Sequence, residues 1–202
     1  MDLLEQLGGQ PHNLLPYDGT VYYFGPVITG NEADRQLEQL LQQIAWQHDR
    51  VNIMGRERVT SRKVAWYGDR PFLYRYSNSS KIALPWTSTL LELKSLVERE
   101  SGESFNSCLL NLYQDGRQAM GWHSDAEKEL KPQGAIASLS LGAPRRFGFK
   151  HKTTKESYYQ LLEHGSLLVM KGITQRRWLH RLPPQAGVLQ PRVNLTFRTI
   201  VT

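Results

Sequence analysis

The chain has 202 residues, enough for one domain with a sizeable core and no need of disulfides or a structural metal. Hydrophobic residues make up 40% and charged residues 22%, with 16 Gly and 10 Pro, which excludes a disordered chain, a coiled coil and a collagen. The net charge of +6 is unevenly spread: residues 1–103 carry 11 Lys/Arg against 13 Asp/Glu, and residues 104–202 carry 14 against 6.

Residues 1–30 are rich in Gly, Pro and aromatics and read as irregular chain with a short strand at Thr20–Phe24. Asn31 has the chemistry of an N-cap, and Glu32 and Asp34 suit a first helical turn. Leu37, Leu40, Leu41 and Ile44 follow at helical spacing, so the pattern predicts an amphipathic helix over 32–48. Residues 50–63 are polar and basic and read as a loop or hairpin, and Ala65–Tyr76 mixes aromatics with Gly68 and Pro71. A second helix is expected from Trp86 to Glu100, with Gly102 as its stop. After Gly102 come short β-prone runs separated by turn residues, from FNSCLLNLYQ to RVNLTFRTIV. Strands at that density predict a sandwich or barrel, with helices supplied by the N-terminal part.

No run approaches about 18 apolar residues, so no membrane span is expected. The opening MDLLEQLGGQ is acidic and lacks the pattern of a signal peptide. The single cysteine, Cys108, sits in an apolar run and reads as a core residue. A reducing compartment follows, cytoplasmic or, in a eukaryote, nuclear. Two basic clusters suit a polyanion such as nucleic acid: Arg50, Arg56, Arg58, Arg62 and Lys63, then Arg145, Arg146, Lys150, Lys152 and Lys155.

The chemistry concentrates in the C-terminal half. In Gly121-Trp122-His123-Ser124-Asp125, residues two apart on a strand share a face, so His123 and Asp125 could reach one metal ion. His-x-Asp alone is a weak signal and needs a third ligand. His12, His48, His151 and His164 are available, but His180, between apolar residues and before Pro183-Pro184, has the setting of a strand-end ligand. Two histidines and one carboxylate leave three metal positions open, the pattern of non-haem Fe(II) and oxygen chemistry. In Arg192–Arg198, strict alternation puts Arg192, Asn194, Thr196 and Arg198 on one face and Val193, Leu195 and Phe197 on the other. Such a polar face is either a solvated edge or a cradle for a dicarboxylate, since arginine pairs bidentately with carboxylates. Asn111 and Tyr113 share a face upstream and could join the same cavity.

Asn111-Leu-Tyr113-Gln-Asp115-Gly116, His123-Ser-Asp125, Ala137–Gly142, His164–Leu168, His180 and Arg192–Arg198, in this order and spacing, resemble the AlkB family of Fe(II)- and 2-oxoglutarate-dependent dioxygenases. Arg62-Lys63, Tyr67-Gly68-Asp69, Tyr74–Ser77 and Phe147–Lys152 bring the resemblance nearest to the branch that repairs duplex DNA. The resemblance implies an α+β, mainly β fold: a double-stranded β-helix, or jelly roll, under an N-terminal helical and nucleotide-recognition lid. The lid would take residues 1–103 and the dioxygenase core 104–202, as one compact unit.

It further implies that His123, Asp125 and His180 bind Fe(II), and that Arg192 and Arg198 anchor 2-oxoglutarate with Asn111, Tyr113, Asn194 and Thr196 assisting. Tyr76 would stack on a flipped base against the His123 ring, and Tyr74, Ala126 and Glu127 would meet the base edge. Met54, Gly55, Arg56 and Arg62 would contact DNA, with Met54 at the tip of a finger that enters the base stack. The implied activity is oxidative demethylation of N-alkylated bases such as 1-methyladenine and 3-methylcytosine. It consumes O2 and 2-oxoglutarate and yields succinate, CO2 and formaldehyde. The expected partner of this monomer is alkylated DNA. The alternatives are a demethylase acting mainly on single-stranded DNA or RNA, and an oxygenase with a protein or lipid substrate.

Overall fold

A computed structural model describes residues 11–53, 56–76 and 79–201, without the side chains of 50–53, 56–58, 73–76 and 79–81. Strand β1 (Thr20–Pro26) leads into helix α1 (Gly30–Gln43). The hairpin β2 (Gln47–Ile53) and β3 (Arg56–Gly68) follows, then β4 (Leu73–Tyr76), β5 (Ser79–Ile82) and β6 (Leu84–Pro85). Helix α2 (Ser88–Ser101) precedes β7 (Ser107–Tyr113), β8 (Met120–His123), β9 (Ile136–Gly142), β10 (Arg145–His151) and β11 (Ser157–Leu162). The chain closes with β12 (Ser166–Lys171), the short α3 (Thr174–Arg177), β13 (Trp178–Leu182) and β14 (Arg192–Arg198).

These strands form a major sheet in the order β1-β12-β9-β14-β7-β3-β2, with β6 beside β3, and a minor sheet in the order β11-β10-β13-β8. The separate β4–β5 ribbon is antiparallel. This is the jelly-roll sandwich the sequence leads one to expect. Residues before 103 also contribute strands to it. Strand β3 pairs with β7 from Lys63↔Leu112 to Gly68↔Ser107, and β1 pairs with β12, so the N-terminal part completes the major sheet.

Alternation along β14 decides what lies on each side of that sheet. Val193, Leu195 and Phe197 are fully buried in a cluster with Leu40 of α1 and Leu90, Leu93 and Val97 of α2. The helices therefore cover the outer face, and Cys108 is a buried member of the same core. Between the sheets lies a second cluster that includes Val21, Phe149, Leu162, Leu168, Met170 and Trp178. It fills one end of the sandwich and leaves the polar face of β14 to line a cavity at the other.

Helix α2 matches its sequence signals. The Thr87 side chain accepts from Leu90 N–H, and Gly102 takes the left-handed conformation (φ 68°) that glycine adopts without a Cβ penalty. Helix α1 ends earlier than its periodicity predicts. Ile44 is extended, Trp46 Nε1 donates to the Leu40 carbonyl at 3.1 Å, and the chain enters β2 at Gln47. Pairing with β3 takes residues that helical propensity alone would have kept.

Candidate active site

Strands β8 and β13 of the minor sheet pair with His123 opposite His180. Their rings lie 4.2 Å apart between centroids, and Phe147 stacks on the far side of His180 at 5.5 Å. Asp125 lies beyond the end of β8, so it does not share a strand face with His123 as the spacing led one to expect. Irregular chain after the strand delivers it instead. Its backbone N–H donates to Gln175 Oε1 at 3.0 Å, and Lys152 Nζ ties the neighbouring Ser124 Oγ to the Gln175 carbonyl. Asp125 Oδ1 then sits 3.8 Å from His123 Nε2 and 3.9 Å from His180 Nε2. One ligand atom from each residue lies within 4.8 Å of the others.

The electrostatics suit a metal. His123 Nδ1 meets the Gly121 carbonyl at 2.8 Å, which as a donor contact leaves Nε2 with a free lone pair. Burial pushes His180 down to about 3, against the partial opposing pull of Asp125, so its imidazole stays neutral. For Asp125, burial acts to raise the carboxyl. The Arg198 guanidinium, with His180 and His123, outweighs it and holds Asp125 below the usual carboxylate value. Two imidazoles and one carboxylate are the donor set of a facial Fe(II) triad, with the remaining positions left for other ligands.

The polar face of β14 meets this triad. Arg192, Asn194, Thr196 and Arg198 line one cavity together with Asn111, Tyr113, His123, Asp125 and His180. Arg192 Nη2 donates to Ser140 Oγ at 2.9 Å, while its buried Nε has no hydrogen-bond partner among the described residues. Burial pushes Arg192 down to about 10, partly offset by Tyr113, whose ring lies 5.7 Å from the guanidinium carbon. A buried guanidinium with spare donors fits a carboxylate such as that of 2-oxoglutarate. A second cavity shares His123, Asp125 and Arg198 with the first and adds Asp49, Arg62, Trp66 and Glu127.

Residues 20–198 match the family described as the 2OG-Fe(II) oxygenase superfamily. The mouse protein "Alpha-ketoglutarate-dependent dioxygenase alkB homolog 3" is 43% identical over 84% of this chain and 62% of its own length. The mouse "DNA oxidative demethylase ALKBH2" is 39% identical over 84% of this chain and 76% of its own length. The chain belongs to the AlkB family. It spans about three-fifths of the length of the homolog 3 relatives. A solved structure described as "The structure of OsALKBH1" superimposes with a TM-score of 0.60 at 13% identity, covering 89% of this chain and 97% of that one, which is a likeness of fold. Fe(II), 2-oxoglutarate and O2 are thus the cofactors of this AlkB family member, and His123, Asp125 and His180 are the residues that fit the metal.

Other sequence expectations fare differently. Arg62, expected at DNA, is buried; its Nε donates to Asn111 Oδ1 at 3.1 Å and its Nη2 lies 3.4 Å from Asp49 Oδ2. From that position Arg62 lines the second cavity. Arg145, counted in a basic cluster, is also internal: it donates to the carbonyls of Asp115, Gly116, Gln118 and Pro183 at 2.8–3.3 Å. Glu127 lines the second cavity, and Ala126 lies on the exposed rim of a neighbouring one. Met54, Gly55 and the side chains of Arg56, Tyr74 and Tyr76 lie outside the described residues. Sequence reasoning missed Asp49, Trp66 and Gln175. No motif marks them, and they reach the site only through strand pairing or the α3 turn.

Proposed function

We propose that this protein oxidatively demethylates N-alkylated bases in DNA, coupled to conversion of 2-oxoglutarate to succinate and CO2 with release of formaldehyde. The observation that carries this reading is the meeting of two cavities at one triad. One is walled by the β14 arginines and suits a dicarboxylate, and the other is lined by Trp66, Asp49 and Glu127 and suits a flat, polar base edge. Bound Fe(II), with 2-oxoglutarate and O2, would supply the oxidation of an N-methyl C–H bond. The hydroxymethyl product loses formaldehyde and leaves the repaired base.

The chain's own residues do the positioning. Arg192 and Arg198 grip the two carboxylates of the co-substrate, with Asn111, Tyr113, Asn194 and Thr196 shaping the cavity around it. Arg198 orients Asp125. Tyr76 and the His123 ring sandwich the extruded base, and Tyr74 and Glu127 meet its edge. Bases methylated on a Watson–Crick nitrogen are cationic and cannot pair normally. Aromatic faces and a nearby carboxylate therefore favour them, and extruding them costs less than extruding a paired base. In this reading Met54, Gly55 and Arg56 contact DNA, with Met54 at the tip of a finger that enters a duplex. The names of the relatives, a DNA oxidative demethylase and an α-ketoglutarate-dependent dioxygenase, support this reading.

The test is mass spectrometry of 1-methyladenine and 3-methylcytosine oligonucleotides, single-stranded and duplex, incubated with the purified protein, Fe(II) and ascorbate. Loss of the methyl group only when 2-oxoglutarate is present supports the reading, and unchanged oligonucleotides in both forms overturn it. The ratio of the two forms gives the strand preference.

A further inference from the structure

The second cavity contains two guanidinium groups, Arg62 and Arg198, on the wall that a base would approach. A cationic substrate should be repelled by both. Each, however, is matched by a carboxylate. Arg198 Nη2 donates to Asp125 Oδ2 at 3.0 Å, and Arg62 Nη2 faces Asp49 Oδ2 at 3.4 Å. The first carboxylate is required by the metal. The second has no part in the triad or in the co-substrate cavity, yet it is 4% exposed and lines the same cavity as His123, Asp125 and Glu127.

Local backbone structure explains how Asp49 comes to be there. The β2–β3 pairing shifts register from His48↔Lys63 to Arg50↔Val59, so Asp49 faces three β3 residues, Thr60, Ser61 and Arg62. Bulges re-aim a side chain that regular alternation would have sent elsewhere. Here the irregularity is on β3 and turns Arg62 towards Asp49, while Asn111 Oδ1 holds the Arg62 Nε at 3.1 Å.

We infer that Asp49 is a specificity-determining residue of the base pocket: by neutralising Arg62, it makes the cavity favour cationic N-alkylated bases over neutral ones of the same shape. This inference rests on the proposed demethylase function. The physical argument is that of a wall with its charge cancelled. With Asp49 present, an incoming base meets the Arg62–Asp49 pair as a dipole, and the Glu127 carboxylate adds attraction for a cation. With Asp49 neutralised, Arg62 presents its full charge from a buried position, where like charges repel more strongly than in solvent. A neutral base suffers little from that change, so the effect falls on discrimination and not on binding in general.

The test compares 3-methylcytosine, which is cationic, with 3-methylthymine, which is neutral and methylated at the same ring position, in otherwise identical oligonucleotides. Both kcat/KM for demethylation and oligonucleotide affinity are measured for wild type, Asp49→Asn, Asp49→Glu and the double variant Asp49→Asn with Arg62→Gln. The expected result is a fall of about tenfold in the cationic-to-neutral ratio for Asp49→Asn, equivalent to roughly 1.4 kcal/mol of lost discrimination. Asp49→Glu should keep the ratio, and the double variant should recover it to within about threefold of wild type, because the unmatched charge is gone. A merely structural Asp49 would lower activity on both bases together and leave the ratio where it was. That result in a folded variant, or failure of the double variant to restore the ratio, overturns the assignment while leaving the demethylase reading intact. A wild type that demethylates neither oligonucleotide removes the demethylase reading, and the Asp49 assignment with it.

Discussion

Arg198 donates from Nη2 to Asp125 Oδ2 at 3.0 Å, and both side chains are buried. The other oxygen, Oδ1, faces the two imidazoles. One carboxylate thus has its two oxygens assigned to different tasks. Arg198 holds the group ionised and fixes its rotation, and Oδ1 is left for the metal. Hydrogen-bonded partners of metal ligands are typically worth about 10–100-fold in metal affinity. Arg198→Gln should therefore weaken Co(II) or Mn(II) binding by roughly that factor, read by calorimetry on the metal-free protein. Unchanged metal affinity with a raised 2-oxoglutarate requirement would leave Arg198 with the co-substrate alone.

Arg192 stands at a different point of the cavity, and its loss should read differently. It is buried, touches Ser140 and Tyr113, and makes no ion pair among the described residues. A charge-assisted pair with a carboxylate is worth roughly 1.5–3 kcal/mol, so Arg192→Ala should raise the apparent KM for 2-oxoglutarate by about 10–150-fold. Oligonucleotide affinity should barely change. Weakened DNA binding with an unaltered co-substrate requirement would contradict the assignment.

Arg145 shows that a charge cluster in sequence need not be a charged surface. Its guanidinium is fully buried and serves four backbone carbonyls from two separate connections, Asp115–Gln118 and Pro183. Removing it leaves several buried acceptors unsatisfied, so Arg145→Gln should cost about 2–4 kcal/mol of stability in urea unfolding. The salt dependence of DNA binding should stay the same. Neutralising Arg56 and Arg58 on the β2–β3 hairpin should instead flatten that dependence by about one to two units. A flattened slope for Arg145→Gln would contradict its internal role.

The pH response of the metal-free protein follows from His180. Burial lowers its folded value to about 3 from an ordinary 6.5. Between those values the unfolded chain binds a proton that the folded chain refuses. Stability from this group is therefore complete above pH 6.5 and is lost as the pH falls towards 3. Urea midpoints measured from pH 7.5 down to 4.5 should decline more steeply for wild type than for His180→Gln. Parallel declines would mean that His180 titrates normally.

Much of this was legible in the sequence because it depends on period-two alternation. Arg192, Asn194, Thr196 and Arg198 share a face whichever strands flank β14, and Val193, Leu195 and Phe197 must then pack under the helices. The capped and glycine-stopped α2 was legible for the same local reason. What depends on distant pairing was not. Asp125 leaves its strand after His123 and is held by Gln175, fifty positions away. Arg62 and Arg145 look like surface cations in the linear chain, and only the β3–β7 pairing and the buried carbonyls around β10 turn them inward. Asp49 meets Arg62 because β3 carries extra residues opposite it, an irregularity that leaves no mark in a pattern of residue types.

On the proposed function, oxidation of a methylated base and consumption of 2-oxoglutarate occur together at the His123–Asp125–His180 centre. The most direct measurement is the stoichiometry of succinate and formaldehyde formed on a 1-methyladenine oligonucleotide, for wild type and for Asp125→Ala. The account predicts equal amounts of the two products in wild type and neither in Asp125→Ala, with no adenine regenerated. Formaldehyde release that persists in Asp125→Ala without added metal excess, or succinate formed with no loss of 1-methyladenine, would contradict it.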